Sequence, residues 1–239
     1  MRRVRGRAKR AEKERAIGTA RDTAVLRQAA SLLLAYPDAD FRERLPLVEQ
    51  GLRALPGSQA RDALLGLCRH TATESPLDLG MHYVEAFDMR GKRTPHMTFY
   101  LDGDTRRRGH TLAAIKEIYT GCGWELSPRE LPDHLAVILE FAARGDAEWG
   151  ETLLHYFRPG LDLLGAALHE YATPYAAVLD AVRATLPPPG PEQEEAVRRL
   201  ARLGPPAEAV GLDGYGGPVD LGMPGVGSPV NSGILGGAR

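Results

Sequence analysis

Arg106, Arg107 and Arg108 stand in a row between Gly103 and Gly109, inside the stretch FDMRGKRTPHMTFYLDGDTRRRG, residues 87–109. Guanidinium forks beside a helix start suit phosphate, because both present N–H donors to an anion. Asp104 competes for those arginines, and a charge run on an exposed first turn is commonly just solvated. The same stretch sets Met97, Phe99 and Tyr100 among six basic and three acidic residues, a mixture also found in single-strand nucleic-acid binders. His82, His96 and His110 repeat at intervals close to four helical turns, which raises metal binding. Gly91, Pro95 and Gly103 interrupt any one helix that could align them, so the interval reads as coincidence. Asp133-His134 follows Pro132 at the start of an apolar run, where a carboxylate suits a helix N-terminus. Glu140 lies in the middle of that run, and if buried it needs a cationic or hydrogen-bonding partner.

Other chemistry is hard to find. The sequence has no GxGxxG, GxxxxGK[ST], HExxH or GxSxG pattern, so the usual nucleotide, metalloprotease and hydrolase signatures are missing. Two cysteines, Cys68 and Cys122, are too far apart for a CxxC pair and suggest no disulfide framework. No apolar run approaches the roughly 20 residues that span a bilayer, and no apolar segment of secretory type follows the basic N-terminus. These features lead us to expect a soluble, cytoplasmic protein with no stable membrane insertion. Net charge is -1, yet residues 1–15 hold eight Lys or Arg against two Glu, a local +6 that leaves the remainder at -7. An arm over residues 1–17 is expected to be a solvated, disordered extension. Binding of nucleic acid or anionic lipid through it is the alternative, and the acidic body suits a cationic segment of a partner.

The elements that must carry these residues read as helices. Val25, Leu26, Ala29, Leu32 and Leu33 share one face, and their helix stops at Tyr36-Pro37. Phe41, Leu45, Val48, Leu52 and Leu55 mark a second helix, with Pro46 expected to split or kink it. A third runs from about Gln59 to His70. Ser75-Pro76 caps a fourth that reaches about Asp88. Asp104 is expected to cap a fifth helix, carrying Leu112, Ile115, Ile118, Tyr119 and Cys122 and closed by Gly121 and Gly123. Ser127 and Glu130 have capping-box spacing ahead of HLAVILEFAA, a helix apolar nearly all round and so central. Further helices follow over 147–171, broken at Arg158-Pro159-Gly160, over 174–186 behind Thr173-Pro174, and after PPPGP. No strand-type alternation appears, which predicts an all-α, single-domain helical bundle over 18–203. Residues 204–239 hold 11 Gly and 5 Pro and are expected to be a disordered tail.

YVEAFDMRGKRTPHMTFYLDGDTRRRG at 83–109 and ELPDHLAVILEFAA at 130–143 together resemble the respiratory nitrate reductase assembly chaperones. These are the delta-subunit, NarJ-type branch of the TorD/DmsD-like redox-enzyme maturation proteins. The resemblance runs from about Val25 to Leu186 and includes an LLxYPD-like segment at Leu33–Asp38. It implies an all-helical fold of the TorD-like type and a role without turnover: no catalytic residue, no cofactor and no metal of its own. The partner it implies is the N-terminal segment of the apo catalytic alpha subunit of nitrate reductase, held competent for molybdenum cofactor insertion and membrane assembly. Molybdenum cofactor biosynthesis proteins are further partners on this reading, and no nucleic acid is. Onto matching positions it places a client-binding set. Tyr83, Phe87, Met97, Phe99 and Tyr100 would give the apolar lining, on a mobile, glycine-punctuated loop. Asp102, Asp104, Arg106 and Arg107 would fix that loop or touch the client. Asp133 and His134 would organise it from the opposite side. A nucleotide- or phosphate-binding protein built on Arg106–Arg108, or a nucleic-acid binder, is the alternative.

Overall fold

The computed structural model describes residues 20–89, 91–128 and 130–206. The basic arm over 1–17 and the tail beyond residue 206 lie outside the described residues. Within them the chain is α-helical, and the β-type pairing they show is one isolated antiparallel bridge, His96 to His134.

Residues 20–33 form α1. Helix α2 spans Ala39–Arg53, α3 Gln59–Thr73 and α4 Pro76–Phe87. Each of α2 to α4 starts where a short polar side chain takes a free backbone amide. Asp38 accepts from Phe41 N at 2.8 Å, Ser58 from Arg61 N at 3.2 Å and Ser75 from Asp78 N at 3.1 Å. Pro46 does not split α2. It stands on the exposed face, and the buried stripe of Phe41, Leu45, Val48 and Leu52 holds the helix together through it.

The stretch expected to be a loop is largely ordered. A 3-10 turn over Gly91–Arg93 leads into a short helix, α5, at Met97–Asp102. Helix α6 covers Arg106–Gly121, and its cap position is Thr105, not Asp104. Thr105 Oγ1 donates to Asp102 O at 2.8 Å, which ties the end of α5 to the start of α6. The Ser127–Glu130 capping box does not form either. Those residues make a turn, with Glu130 N donating to Ser127 O, and the helix waits until α7 at Leu135–Arg144. The delay has a cause: Asp133 O and Leu135 N are engaged by Met97 N and Pro95 O, which holds this backbone extended.

Helices α8 (Ala147–Tyr156) and α9 (Arg158–Glu170) meet at Phe157, next to the expected break. Helix α10 (Ala176–Ala184) follows Thr173-Pro174, with Tyr175 at the cap position, and α11 (Pro191–Leu203) is mostly polar. Helix α7 buries Leu135, Val137, Ile138, Leu139, Phe141 and Ala142, as its nearly continuous apolar run requires. Glu140 is not buried; it pairs with Arg144 one turn on, at 2.8 Å. The α8 backbone comes so near α7 at Gly150 that a Cβ there would overlap Ala142. Tyr83, Phe87 and Tyr175 form an aromatic cluster with centroids 4.8–5.9 Å apart, and Tyr119 with Phe141 forms another. Among the described residues no helix is long and apolar enough to cross a membrane.

Candidate functional site

The two stretches most distinctive in the sequence meet in space, and Asp133 joins them. Proline at 95 and at 132 keeps both backbones extended as they arrive. They pair at His96 and His134, and Asp133 then points into the start of α5. Its carboxylate is fully buried. Oδ1 is 3.2 Å from His96 Nδ1, and Oδ2 accepts from Thr98 N at 3.3 Å and from the Thr98 hydroxyl. Arg108 reaches back from α6, with Nε donating to Thr98 Oγ1 at 3.1 Å and a terminal nitrogen 4.0 Å from Asp133 Oδ2. Burial pushes the Asp133 carboxyl up. The hydrogen bonds from His96 and Thr98 and the charges of His96 and Arg108 outweigh it, and the carboxyl is held below its ordinary range. A buried anion so fully answered is a structural clasp, since no acceptor capacity is directed toward open space.

His134 caps α7. Its Nδ1 accepts from Ala136 N at 3.2 Å, so that nitrogen is unprotonated and the ring hydrogen belongs on Nε2. Burial, followed by the nearby charge of His96, lowers its pKa to about 4, with Asp133 opposing. Tyr119 OH donates to Pro132 O at 2.9 Å and fixes the clasp from α6.

The remaining expected site residues divide by depth. Tyr83, Phe87, Met97 and Tyr100 are core side chains. Tyr83 OH donates to Leu34 O, and Tyr100 OH contacts the carbonyls of Lys92 and Thr94. Phe99 is half-exposed. The set is therefore not carried on a mobile loop. Four of its five apolar members are packed inside, and Phe99 is the one that faces open space. Asp102 is 1% exposed, with Arg107 Nε 3.1 Å from Oδ1, close enough to pair charge but not aligned for a hydrogen bond. Asp104 and Arg106 are on the surface. Arg107 is turned toward the Asp102 carboxylate and Arg108 toward Asp133, which weakens the case for a phosphate cradle. His82 and His96 go to separate partners, Thr173 and Asp133. Sequence reasoning missed His96, Thr98 and Arg108 as the partners of Asp133. The available signal was the pair of proline-led segments, Pro95-His96 and Pro132-Asp133-His134.

Beside α5 the surface is concave. One cavity of about 660 Å³ is lined by Leu101, Arg107, Tyr156 and Pro159, with α11 and Gly204–Pro206 on its other side. A second, about 500 Å³, is lined by Phe99, Tyr100, Leu163, Ala166, Ala167 and Glu170, again opposite α11. A channel walled by helices, whose lining mixes apolar side chains with charged ones, can hold an amphipathic segment.

Known proteins place this architecture. A family model described as nitrate reductase delta subunit matches residues 55–181. A Bacillus subtilis protein named probable nitrate reductase molybdenum cofactor assembly chaperone NarJ is 32% identical over 165 residues, 69% of this chain and 90% of that protein. The nitrate reductase-like protein NarX of Mycobacterium tuberculosis is 37% identical over 158 residues, or 66% of this chain; the chain spans about a quarter of that relative's length (24%). Among solved structures, a putative redox enzyme maturation protein from Archaeoglobus fulgidus superposes with a TM-score of 0.51 at 21% identity. That match covers 67% of this chain and 91% of the other, and it supports the helical fold. The matched span holds the clasp, α5 and the floor of the channel together, and on that match the chain belongs to the nitrate reductase delta subunit family.

Proposed function

We propose that this protein is a system-specific chaperone for a respiratory nitrate reductase, acting by binding and without turnover. It takes the N-terminal segment of the apo catalytic alpha subunit and keeps that subunit competent for molybdenum cofactor insertion before membrane assembly. On this reading it works in the cytoplasm, alongside molybdenum cofactor biosynthesis proteins. The observation that carries the reading is the apolar channel along α5 and α9, with Phe99 at its edge, in a chain that aligns with nearly all of a relative named as such a chaperone. Phe99 is the proposed direct contact. Tyr83, Phe87, Met97 and Tyr100 form the packed floor that holds it, Asp102, Asp104, Arg106 and Arg107 supply charge around α5, and Asp133 with His134 fixes α5 in place. An acidic body would steer a basic leader segment and make encounter salt-dependent.

Titration calorimetry with a synthetic peptide of the alpha subunit's first residues tests this. Saturable heat is expected, weakened by Phe99→Ala with helicity unchanged. No heat with the peptide, but saturable heat with GTP or an oligonucleotide, would overturn it. Unchanged affinity in Phe99→Ala removes that residue from the contact.

A further inference from the structure

The channel beside α5 is already occupied by part of this chain. Helix α11 lies against α9, with Ala196, Leu200 and Leu203 spaced by four and three along one stripe and mostly Glu, Gln and Arg elsewhere, apart from Pro191, Val197 and Ala201. Its hold is slight. Leu200 is the one residue of α11 that is buried, Leu203 is 69% exposed, and open volume remains on both sides of the helix. One polar tie is Gln193, whose amide donates to His155 O at 3.2 Å. Beyond α11 the chain turns at Gly204, with φ at 76°, and Pro206 passes directly over Gly103. Gly103 itself has φ of 62°, and a Cβ there would overlap the Pro206 carbonyl. The start of the tail and the end of α5 are therefore fitted to each other, although α11 fills the channel loosely.

We infer that α11 with Gly204–Pro206 is a built-in stand-in for a partner helix, and that the channel between α5 and α9 is the docking site it keeps covered. The seated helix shows what fits: an amphipathic helix with small or apolar side chains at i, i+4 and i+7. A basic residue beside them, as Arg202 is here, complements Glu170, which lines the same cavity. A partner helix of that chemistry must displace α11 to bind. The natural displacing helix rests on the function proposed above, where it is the leader segment of the client; the occupancy by α11 does not. Such a cover lowers apparent affinity by the fraction of molecules in which it is closed and shields the apolar channel from unrelated partners.

The test uses the full-length protein and a fluorescein-labelled peptide of residues 191–206, read by anisotropy. Leu200→Glu and, as a milder change at a half-exposed position, Ala196→Glu loosen α11 while circular dichroism reports the fold. Each variant is expected to bind the peptide at least about ten-fold more tightly than the unaltered protein, and a peptide that itself carries Leu200→Glu is expected not to bind. Equal affinity in the unaltered and altered proteins, or equal binding of the charged control peptide, would overturn the inference. Unlabelled alpha-subunit leader peptide is then added. Displacement supports both readings, whereas capture of the labelled peptide with no such displacement supports the cover and removes that leader as its displacing partner.

Discussion

Lowering the pH from 7 to 4.5 is expected to cost the folded protein stability through His134 in particular. Burial, helped by the charge of His96, lowers the pKa of this ring from 6.5 to about 4. Its Nδ1 must also stay unprotonated to accept from Ala136 N. Between those two values the unfolded chain carries a proton on this side chain and the folded chain does not. Stability therefore rises with pH across the window, is fully present above 6.5 and is lost as pH falls toward 4. Two pH units below 6.5, at about 1.4 kcal/mol each, less a small allowance for partial protonation in the fold and for the ring's partial exposure, give a loss of about 2 kcal/mol at pH 4.5. The groups facing the ring are His96 and Asp133. The Asp133 carboxyl is held low, so its own contribution remains largely in force at that pH and is lost only further down. His134→Asn keeps a short polar acceptor at the cap and cannot titrate. Urea denaturation of both full-length proteins, followed by far-ultraviolet circular dichroism at pH 7 and 4.5, isolates the effect, because the other carboxylates are common to both. The unaltered protein should lose about 2 kcal/mol more than the variant. Equal losses would refute the reasoning.

Two more outcomes follow from the same contacts. Asp133→Ala leaves the Thr98 amide and His96 without their acceptor and Arg108 without its counter-charge, and is expected to destabilise by about 3–5 kcal/mol, with Asp133→Asn milder, in the same urea titrations. Gly103→Ala meets both a left-handed backbone and the Pro206 carbonyl, so it should cost about 1–3 kcal/mol and speed amide exchange over α11; unchanged exchange there would separate Gly103 from the seating of the tail.

Much of this architecture was legible because it is local. The Ser75-Pro76 start of α4, the apolar circumference of α7 and the break before Pro159 each depend on residues within one or two turns. The all-helical fold follows from such signals, and the family resemblance from two quoted stretches. What was not legible depends on distance. Helix α5 is only six residues long, between Pro95 and Gly103, too short for a 3.6-residue period to register. Ser127 and Glu130 carry the right types for a capping box, but pairing of residues 133–135 with 95–97 outcompetes it. The partners of Asp133 lie 25 or more positions away, so one sequence shows the carboxylate and hides what answers it. The apolar candidates were named from the sequence as one group, but the sequence could not separate Phe99, which is half-exposed, from the four that are core.

The bridge between His96 and His134 also has a consequence for how the molecule opens. It fastens the two ends of everything from Met97 to Asp133, which includes α5 and α6, into a closed loop whose seam is a handful of backbone and carboxylate bonds. Elements joined at one seam come apart together, so this part should exchange its amides as a single unit, with one opening free energy for α5 and the first turns of α6. Force applied to α5 would then be carried through the seam to the start of α7, in the middle of the core, as well as to α6 and α9, against which α5 packs.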